Sequence, residues 1–350
     1  MWIQDKIFCE DMEYIANVSF IPWNKVEGKT ILITGGTGLI GSTVISSLVY
    51  ANEKRNLNLH IIALVRNEEK AKKMFSEQLK FSDALQFVVG TVECLPSVEE
   101  NIDYIIHGAS PTASDFFVEY PIETIITNVK GTNNLLRLAK EKKVDSFLYL
   151  SSMEVYGAPS TDQTITESQG TTLNTMSVRS CYPEAKRLCE NLCASYASEY
   201  HVLTNVIRLA QTFGPGVLKN DKRVFAEFAR CAVQHKDIIL QTPGESKRCY
   251  LYTADAVTAI LAVLLSDASG EAYNVANSSS YCSIAEMAQM VVKYLAHNNI
   301  DIKFNINDEN KKKFPPPHHL NLSTEKVTKL GWKPSRGLRE MYARMIEGME

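Results

Sequence analysis

The chain has 350 residues, of which 45% are hydrophobic and 22% are charged, a composition typical of a globular protein with one large or two ordinary domains. The formal net charge is −3, and no apolar run approaches the about 20 residues of a membrane span, which argues against nucleic-acid and membrane partners. Eight cysteines without a CxxC pair, and an acidic N-terminus unlike a signal peptide, predict reduced thiols, no metal site and a cytoplasmic location.

Apolar segments alternate with helical segments along the first part of the chain. Residues 1–27 predict a packed N-terminal arm that precedes the first strand. Strands are predicted at 31–33, 60–65, 85–90, 104–107, 146–150 and 204–209, and helices at 39–48, 68–79, 121–143 and 182–200. This alternation predicts an α/β fold of the Rossmann type, which is a doubly wound parallel sheet with right-handed crossovers.

The second part of the chain alternates less regularly. A helix at 223–235 and short strands at 238–240 and 273–275 predict a smaller, loop-rich α/β domain. We expect this domain to cover the carboxyl ends of the parallel strands, where doubly wound folds bind ligands. The predicted division is therefore a first domain at 28–209 and a second at 210–350, partly interleaved.

A glycine-rich turn, TGGTGLIG at residues 34–41, follows the first predicted strand. Gly35 allows a sharp turn, Gly38 allows backbone to approach a pyrophosphate, and Gly41 allows the next helix to pack closely. Because N–H groups at a helix N-terminus attract anions, the turn is suited to a dinucleotide. A glycine-rich turn alone is equally compatible with a purely structural role, and the motifs that follow favour a dinucleotide site in the first domain. The contacts expected from it are Gly35, Thr37, Gly38, Leu39 and Ile40.

Tyr182 and Lys186 stand four residues apart in a predicted helix, so their side chains share one face. We expect the ammonium to lower the pKa of the phenol, which would then exchange a proton with a substrate hydroxyl. Ser152, at the end of the fifth strand, would hydrogen-bond the same oxygen. A YxxxK pair alone is common on protein surfaces, but its place after the glycine turn and the strand-end serine favours a catalytic set of all three residues.

These motifs, in this order, resemble the extended short-chain dehydrogenase/reductases, in particular the NAD-dependent epimerase/dehydratase group that acts on nucleotide-linked sugars. The resemblance covers about residues 28–345 and rests on TGGTGLIG at 34–41, SSMEVYG at 151–157 and RLAQTFGP at 208–215. Within that group the chain is most similar to UDP-glucuronate decarboxylases, through HGASP at 107–111, RSCYPEAKR at 179–187, NDKRV at 220–224 and KRCY at 247–250.

The resemblance implies further site residues and an assembly. Glu154 joins the catalytic residues, while Ala109, Ser110, Asn128 and Lys186 are expected to contact the cofactor. The residues expected to contact the nucleotide-sugar substrate are Ser110, Arg179, Gln211, Arg223 and Arg248. Arg248 would meet the nucleotide diphosphate, since a guanidinium binds phosphate oxygens in pairs. The resemblance also implies a homodimer built on the helices at 121–143 and 182–200.

Three departures from the family pattern bear on function. Arg66 follows the second strand, where NAD-preferring members carry an acid on the ribose 2′-hydroxyl, so NADP(H) is predicted in preference to NAD(H). Met153 stands where the decarboxylases carry serine and 4,6-dehydratases carry aspartate, and a thioether cannot relay a proton. Gln211 replaces the usual asparagine, and Thr91 stands where an aspartate often contacts the adenine.

Arg66 and Met153 together favour one-way reduction over chemistry that returns the hydride. The sequence therefore predicts an NADPH-dependent reductase of a nucleotide-linked keto sugar or ketose, in the synthesis of precursors of surface polysaccharide such as capsule or cell wall. The alternative is a redox-neutral decarboxylase of the UDP-glucuronate type, an epimerase or a 4,6-dehydratase. A non-catalytic dinucleotide sensor is disfavoured, because Ser152, Tyr182 and Lys186 are all intact.

Overall fold

The computed structural model describes residues 5–112, 114–307 and 317–348. Its strands are β1 (Thr30–Thr34), β2 (His60–Val65), β3 (Leu85–Val89), β4 (Tyr104–His107), β5 (Ser146–Ser152), β6 (Thr204–Leu209), β7 (Gln211–Phe213), β8 (Ile238–Leu240), β9 (Lys247–Tyr252), β10 (Glu271–Val275), β11 (Asn277–Ser283), β12 (Ile302–Phe304) and β13 (His319–Leu320). Its helices are α1 (Lys6–Asn17), α2 (Leu39–Arg55), α3 (Glu68–Met74), α4 (Ser76–Phe81), α5 (Ser114–Glu119), α6 (Pro121–Lys142), α7 (Cys181–Tyr200), α8 (Val224–Val233), α9 (Thr253–Leu264), α10 (Ile284–Tyr294), α11 (Glu325–Thr328) and α12 (Leu338–Glu347).

Seven parallel strands form the central sheet in the order β10-β6-β5-β4-β1-β2-β3. Strand β1 pairs with β2 on one side and with β4 on the other. Because the chain order reverses there, a crevice forms at the carboxyl ends of β1 and β4, the place where doubly wound sheets bind ligands. The predicted Rossmann-type fold is confirmed.

Helices cover both faces of this sheet, which explains the continuous apolar sequence of its strands. Ile31 and Ile33 of β1 pack in one hydrophobic cluster with residues of α2 and α9. Leu32, between them, points to the other face and packs with residues of α6 and α7. The sheet is therefore a buried middle layer, and its strand ends hold functional side chains in fixed positions.

A second sheet is built around β9, which pairs antiparallel with β11 and parallel with both β7 and β13. Strands β8 and β12 form a separate parallel pair. Strand β7 begins two residues after β6 ends, and Leu209 at the end of β6 is the register partner of Ser152. The second sheet therefore starts at the level of the predicted catalytic serine.

The N-terminal segment packs across both parts of the molecule. Met12 and Ile15 of α1 are fully buried in the cluster that also contains α2 and α9. Arg344 of α12 donates to the Asp11 carboxylate over 2.8 Å and to the Tyr252 hydroxyl over 2.7 Å. Helix α1 is thus joined to the second sheet and to the last helix by a buried ion pair.

Three helices differ from prediction. The helix expected at 39–48 continues to Arg55 as α2. The helix expected at 68–79 is split into α3 and α4 at Phe75, whose ring is buried in the core and whose backbone leaves the helical region (φ −100°, ψ 20°). The helix expected at 223–235 begins one residue later, since Arg223 is extended. Among the described residues, no helix is long and apolar enough to cross a membrane.

Candidate active site

The glycine turn lies against the end of β4. Gly35 has a φ of +73°, and a Cβ there would lie 2.6 Å from the Gly108 carbonyl oxygen. A Cβ on Gly41 would lie 2.3 Å from the carbonyl oxygen of Gly35, so α2 could not approach the turn. Both positions therefore require glycine for the fold itself.

Gly38 has a different role, because a Cβ there would meet only the Gly35 oxygen, at an ordinary 3.4 Å. It is the N-cap of α2, and no side chain caps this helix, so the N–H groups of the first turn remain available to an anion. Thr37, Leu39 and Ile40 are half-buried beside it. This open cradle fits the pyrophosphate of a dinucleotide.

A buried histidine at the end of β4, His107, forms hydrogen bonds on both sides of its ring next to the glycine turn. His107 Nδ1 lies 2.8 Å from the Thr34 hydroxyl, and its Nε2 lies 3.1 Å from the Thr132 hydroxyl. The Ala109 N–H also donates to Thr34, over 3.2 Å. Burial lowers the pKa of His107 to about 3, with a smaller effect of Lys186 in the same direction, so the ring is neutral. Sequence reasoning missed this network, although a polar residue ending an apolar strand was a signal for it.

The other residues predicted to contact the cofactor have varied surroundings. Ser110 donates to the carbonyl oxygen of the next residue over 3.0 Å, and Arg66 is exposed directly after β2. Asn128 on α6 is fully buried and its amide donates to the Thr124 carbonyl oxygen over 2.8 Å. Within the described part of the chain its Oδ1 has no hydrogen-bond partner, so this buried acceptor is available to a ligand donor.

Ser152, Tyr182 and Lys186 are brought together by β5 and α7. The Lys186 ammonium is almost fully buried, donates to the Leu150 carbonyl oxygen over 2.8 Å, and lies 5.7 Å from the centroid of the Tyr182 ring. Burial lowers the pKa of Lys186 to about 8. The Tyr182 ring stacks on Phe117 of α5, with centroids 4.3 Å apart, a contact that sequence reasoning did not anticipate.

In the protein without ligands the pKa of Tyr182 is raised, in contrast to the lowered pKa expected from Lys186. Burial raises the pKa of Tyr182, and the Glu154 carboxylate raises it further, while the Ser152 hydroxyl and Arg179 lower it. The Lys186 ammonium donates to the Leu150 carbonyl oxygen and, within the described residues, makes no hydrogen bond to the phenol that would offset this burial. The phenol is therefore held protonated, in the state of a proton donor.

The turn after β5 sets the positions of three side chains. Ser152 caps this turn, since its hydroxyl oxygen accepts from the Glu154 N–H over 3.2 Å. Met153 is buried in the core, so position 153 contributes packing and no proton transfer. The Glu154 carboxylate accepts from Arg179 over 2.8 Å, and the Arg179 guanidinium lies 4.8 Å from the centroid of the Phe117 ring. An ion pair thus lies at the edge of the catalytic group.

The three arginines predicted to contact the substrate differ in whether a neighbouring carboxylate neutralises their charge. Arg179 pairs with Glu154, and Arg223 donates to both oxygens of Asp221, with Nε 3.0 Å from each. Arg248 instead donates to two uncharged groups, Gln211 and His318. Arg248 is therefore the best placed of the three to meet an anion.

Three further features complete the surroundings of the site. Arg208, the first residue of the RLAQTFGP segment, donates to both oxygens of the Glu190 carboxylate and to the Tyr156 hydroxyl, so its role is structural. The Thr91 hydroxyl accepts from the Cys94 N–H over 3.2 Å and so stabilises the turn after β3. Across 5–112, 114–307 and 317–348, no cluster of three or more His, Cys, Asp or Glu side chains could hold a metal ion.

Comparisons with known proteins identify the family to which the chain is similar. The family model described as the NAD dependent epimerase/dehydratase family matches residues 31–276. UDP-glucuronic acid decarboxylase 6 of Arabidopsis thaliana is 31% identical over 317 residues, which cover 91% of this chain and 88% of the relative.

Solved structures show the same fold at lower identity. A UDP-N-acetylglucosamine 4-epimerase from Methanobrevibacter ruminantium superposes with a TM-score of 0.77 at 19% identity, covering 92% of this chain and 98% of the epimerase. A dTDP-glucose 4,6-dehydratase from Streptomyces venezuelae, solved with NAD bound, superposes with a TM-score of 0.74 at 20% identity, covering 91% and 96% of the two chains.

Proposed function

We propose that this enzyme transfers a hydride between a nicotinamide dinucleotide and a carbon of a nucleotide-diphosphate-linked sugar. The chain belongs to the NAD-dependent epimerase/dehydratase family. The observation that carries this proposal is the grouping of Ser152, Tyr182 and Lys186 beside the glycine turn. A bound nicotinamide dinucleotide supplies the hydride donor or acceptor.

The protein residues would orient the sugar and move its proton. Tyr182, protonated in the protein alone, would hydrogen-bond the reacting sugar oxygen and exchange a proton with it. Ser152 would donate to the same oxygen, because its backbone and the Glu154 N–H fix the position of its hydroxyl. Lys186 would fix the spacing between α7 and β5 through its hydrogen bond to Leu150, and would thereby position the Tyr182 phenol.

The first candidate is a redox-neutral reaction of the UDP-glucuronate decarboxylase type with NAD. The 31% identity to relatives of that name, over 91% of this chain, supports it more strongly than it supports the reductase. Glu154 and Arg179 also remain at the edge of the catalytic group. Arg179 would bind a sugar carboxylate after exchanging its protein partner Glu154, since a guanidinium can donate to the oxygens of either carboxylate.

The second candidate is an NADPH-dependent reductase of a nucleotide-linked keto sugar or ketose, for surface polysaccharide. Two observations favour it: Met153 is buried where a second proton carrier would be needed, and the exposed Arg66 stands at the end of β2 in place of an acid. An arginine there would attract the 2′-phosphate of NADP(H).

Product analysis separates the two candidates. The purified enzyme is incubated with UDP-glucuronate and NAD, and separately with a nucleotide-linked 4-keto sugar and NADPH or NADH. Released carbon dioxide with a UDP-pentose supports the first candidate, and stoichiometric loss of reduced cofactor supports the second. Tyr182→Phe is the control in both assays. If neither occurs with any nucleotide sugar offered, the proposed hydride transfer is wrong.

We also propose that the enzyme is a cytoplasmic homodimer. Ile122 and Ile126 on α6 and Leu188 on α7 are exposed apolar side chains on two helices that pack together, and such a surface favours association. Sedimentation of the native protein and of Ile126→Glu tests this, since a native monomer would contradict the dimer.

A further inference from the structure

Arg248 lies at the meeting point of three strands of the second sheet. It belongs to β9, Gln211 belongs to the neighbouring strand β7, and His318 directly precedes β13, which pairs with an earlier part of the same edge of β9. Arg248 Nη1 lies 3.2 Å from Gln211 Oε1, and Arg248 Nη2 lies 2.9 Å from His318 Nε2. The guanidinium is therefore held by two hydrogen bonds, one to each of the segments that border this edge of β9.

These contacts define the charge and protonation of the two partners of Arg248. A guanidinium carries only donors, so His318 Nε2 must accept, which requires a neutral ring with its proton on Nδ1. Gln211 accepts through its amide oxygen and is uncharged. Within the described residues no carboxylate pairs with Arg248, in contrast to Arg179 and Arg223, so its positive charge is not compensated.

The Nε donor of Arg248 also remains unused. Its Nε atom is buried and, within the described part of the chain, has no hydrogen-bond partner. A buried donor without a partner costs free energy, which a ligand acceptor would recover. The arrangement therefore combines an uncompensated charge, an unused donor and two fixed contacts, as expected of an anion-binding group.

The position of this group is linked to the catalytic residues. Ser152 of β5 is the register partner of Leu209 in β6, and Gln211 follows only two residues later. A displacement of Gln211 would therefore move Arg248 relative to Ser152. Because hydride transfer depends on the placement of the sugar carbon, the distance between the two groups matters for turnover.

We propose that Gln211 and His318 are positioning residues that form a neutral cradle, aiming Arg248 at the diphosphate of the substrate while leaving its charge uncompensated. This inference rests on the proposed nucleotide-sugar substrate and on the assignment of Arg248 to its diphosphate. It changes the role predicted for Gln211, which acts through Arg248 in place of contacting the substrate.

The test measures nucleotide binding by isothermal titration calorimetry. The native protein is titrated with UDP, dTDP, CDP and GDP, and the tightest ligand is used for all variants. Gln211→Glu keeps the shape of the side chain but adds a carboxylate beside the guanidinium, and we expect binding at least about tenfold weaker. His318→Ala removes one acceptor, and we expect binding about three- to tenfold weaker.

Two matched variants separate positioning from general damage. His318→Asn restores an uncharged acceptor and is expected to bind within about twofold of the native protein. His319→Ala alters the next residue, whose ring lies beside Asp162, and is expected to leave binding unchanged. Melting temperatures within a few degrees of the native value show that each variant is folded, and KM is expected to rise with little change in kcat.

The outcomes distinguish this inference from the proposed function. If Arg248→Ala abolishes binding while Gln211→Glu and His318→Ala bind like the native protein, the cradle is wrong and the substrate class stands. If His318→Asn is as weak as His318→Ala, the acceptor role is wrong. If the native protein binds no nucleoside diphosphate, or Arg248→Ala has no effect, the assignment of Arg248 fails together with the cradle.

Discussion

The Lys186 ammonium donates to the Leu150 carbonyl oxygen over 2.8 Å, and this contact ties the helix that carries Tyr182 to the strand that carries Ser152. Leu150 lies two residues before Ser152 on β5, while Lys186 lies one turn after Tyr182 on α7. The lysine contact thus helps to set the distance between the Ser152 hydroxyl and the Tyr182 phenol. Its removal would disturb the geometry of the site as well as its charge.

Replacing Tyr182 with phenylalanine removes the proton-transfer group and keeps the stack on Phe117. We expect hydride transfer to slow by about 10²–10⁴-fold, because that is the usual contribution of general acid–base catalysis. Cofactor binding, measured by fluorescence titration with NADH and NADPH, should not change. Phe117→Leu is the matched control, since it disturbs the stack but keeps the phenol. Near-native turnover by Tyr182→Phe would contradict the catalytic role.

The rate of turnover should fall as pH rises above about 8. Burial lowers the pKa of Lys186 to about 8, whereas burial raises the pKa of Tyr182, which therefore does not titrate in this range. Loss of the ammonium proton removes the charge that holds Leu150, and a pH–rate profile measures this. A profile that stays flat to pH 10 would show that the charge of Lys186 is not needed.

The lowered pKa of Lys186 also predicts how the free energy of unfolding changes with pH. An unfolded lysine titrates near 10.5, so between about pH 8 and 10.5 the unfolded chain binds more protons than the folded chain. The contribution of Lys186 to the free energy of unfolding therefore rises with pH across this window and is smallest below about pH 8. Urea unfolding from pH 7 to 10 measures it, with Lys186→Met as the variant that should lack the rise.

Replacing Arg66 with alanine tests the predicted preference for NADP(H). If the exposed guanidinium after β2 meets the 2′-phosphate, the Kd for NADP⁺ should rise about tenfold while the Kd for NAD⁺ stays constant. Lys70→Ala, a nearby exposed cation on α3, is the control for non-specific attraction. Equal affinities of Arg66→Ala and the native protein for both dinucleotides would remove the argument for NADP(H).

Replacing Arg344 with methionine should destabilise the fold. The change leaves the Asp11 carboxylate, which is 4% exposed, without its cation, although Tyr252 still donates to it over 2.5 Å. Breaking a buried ion pair on one side costs about 3–5 kcal/mol, so the free energy of unfolding should fall by about that amount. Chemical denaturation measures it, and Arg339→Met on the same helix should change it by less than about 0.5 kcal/mol. A loss for Arg344→Met no larger than for Arg339→Met would contradict the role of the pair.

Sequence patterns were sufficient for the strand, turn and helix around residues 31–41 and for the spacing of Tyr182 and Lys186. These features are local, since the period of apolar residues and the steric freedom of glycine are properties of short segments. The parallel sheet also followed from the alternation of segments. Helix ends and the break at Phe75 did not, because the burial of that ring depends on distant parts of the chain.

The sequence by itself determined the fold class, the family resemblance and which residue types could carry the chemistry. Only the tertiary structure decided their states: the direction of Lys186 towards Leu150, the protonated phenol of Tyr182, and which arginine keeps an uncompensated charge. The physical reason is that pKa values and charge balance depend on burial and on partners distant in sequence, as Arg248 and His318 are. Residue types and short spacings do not contain that information.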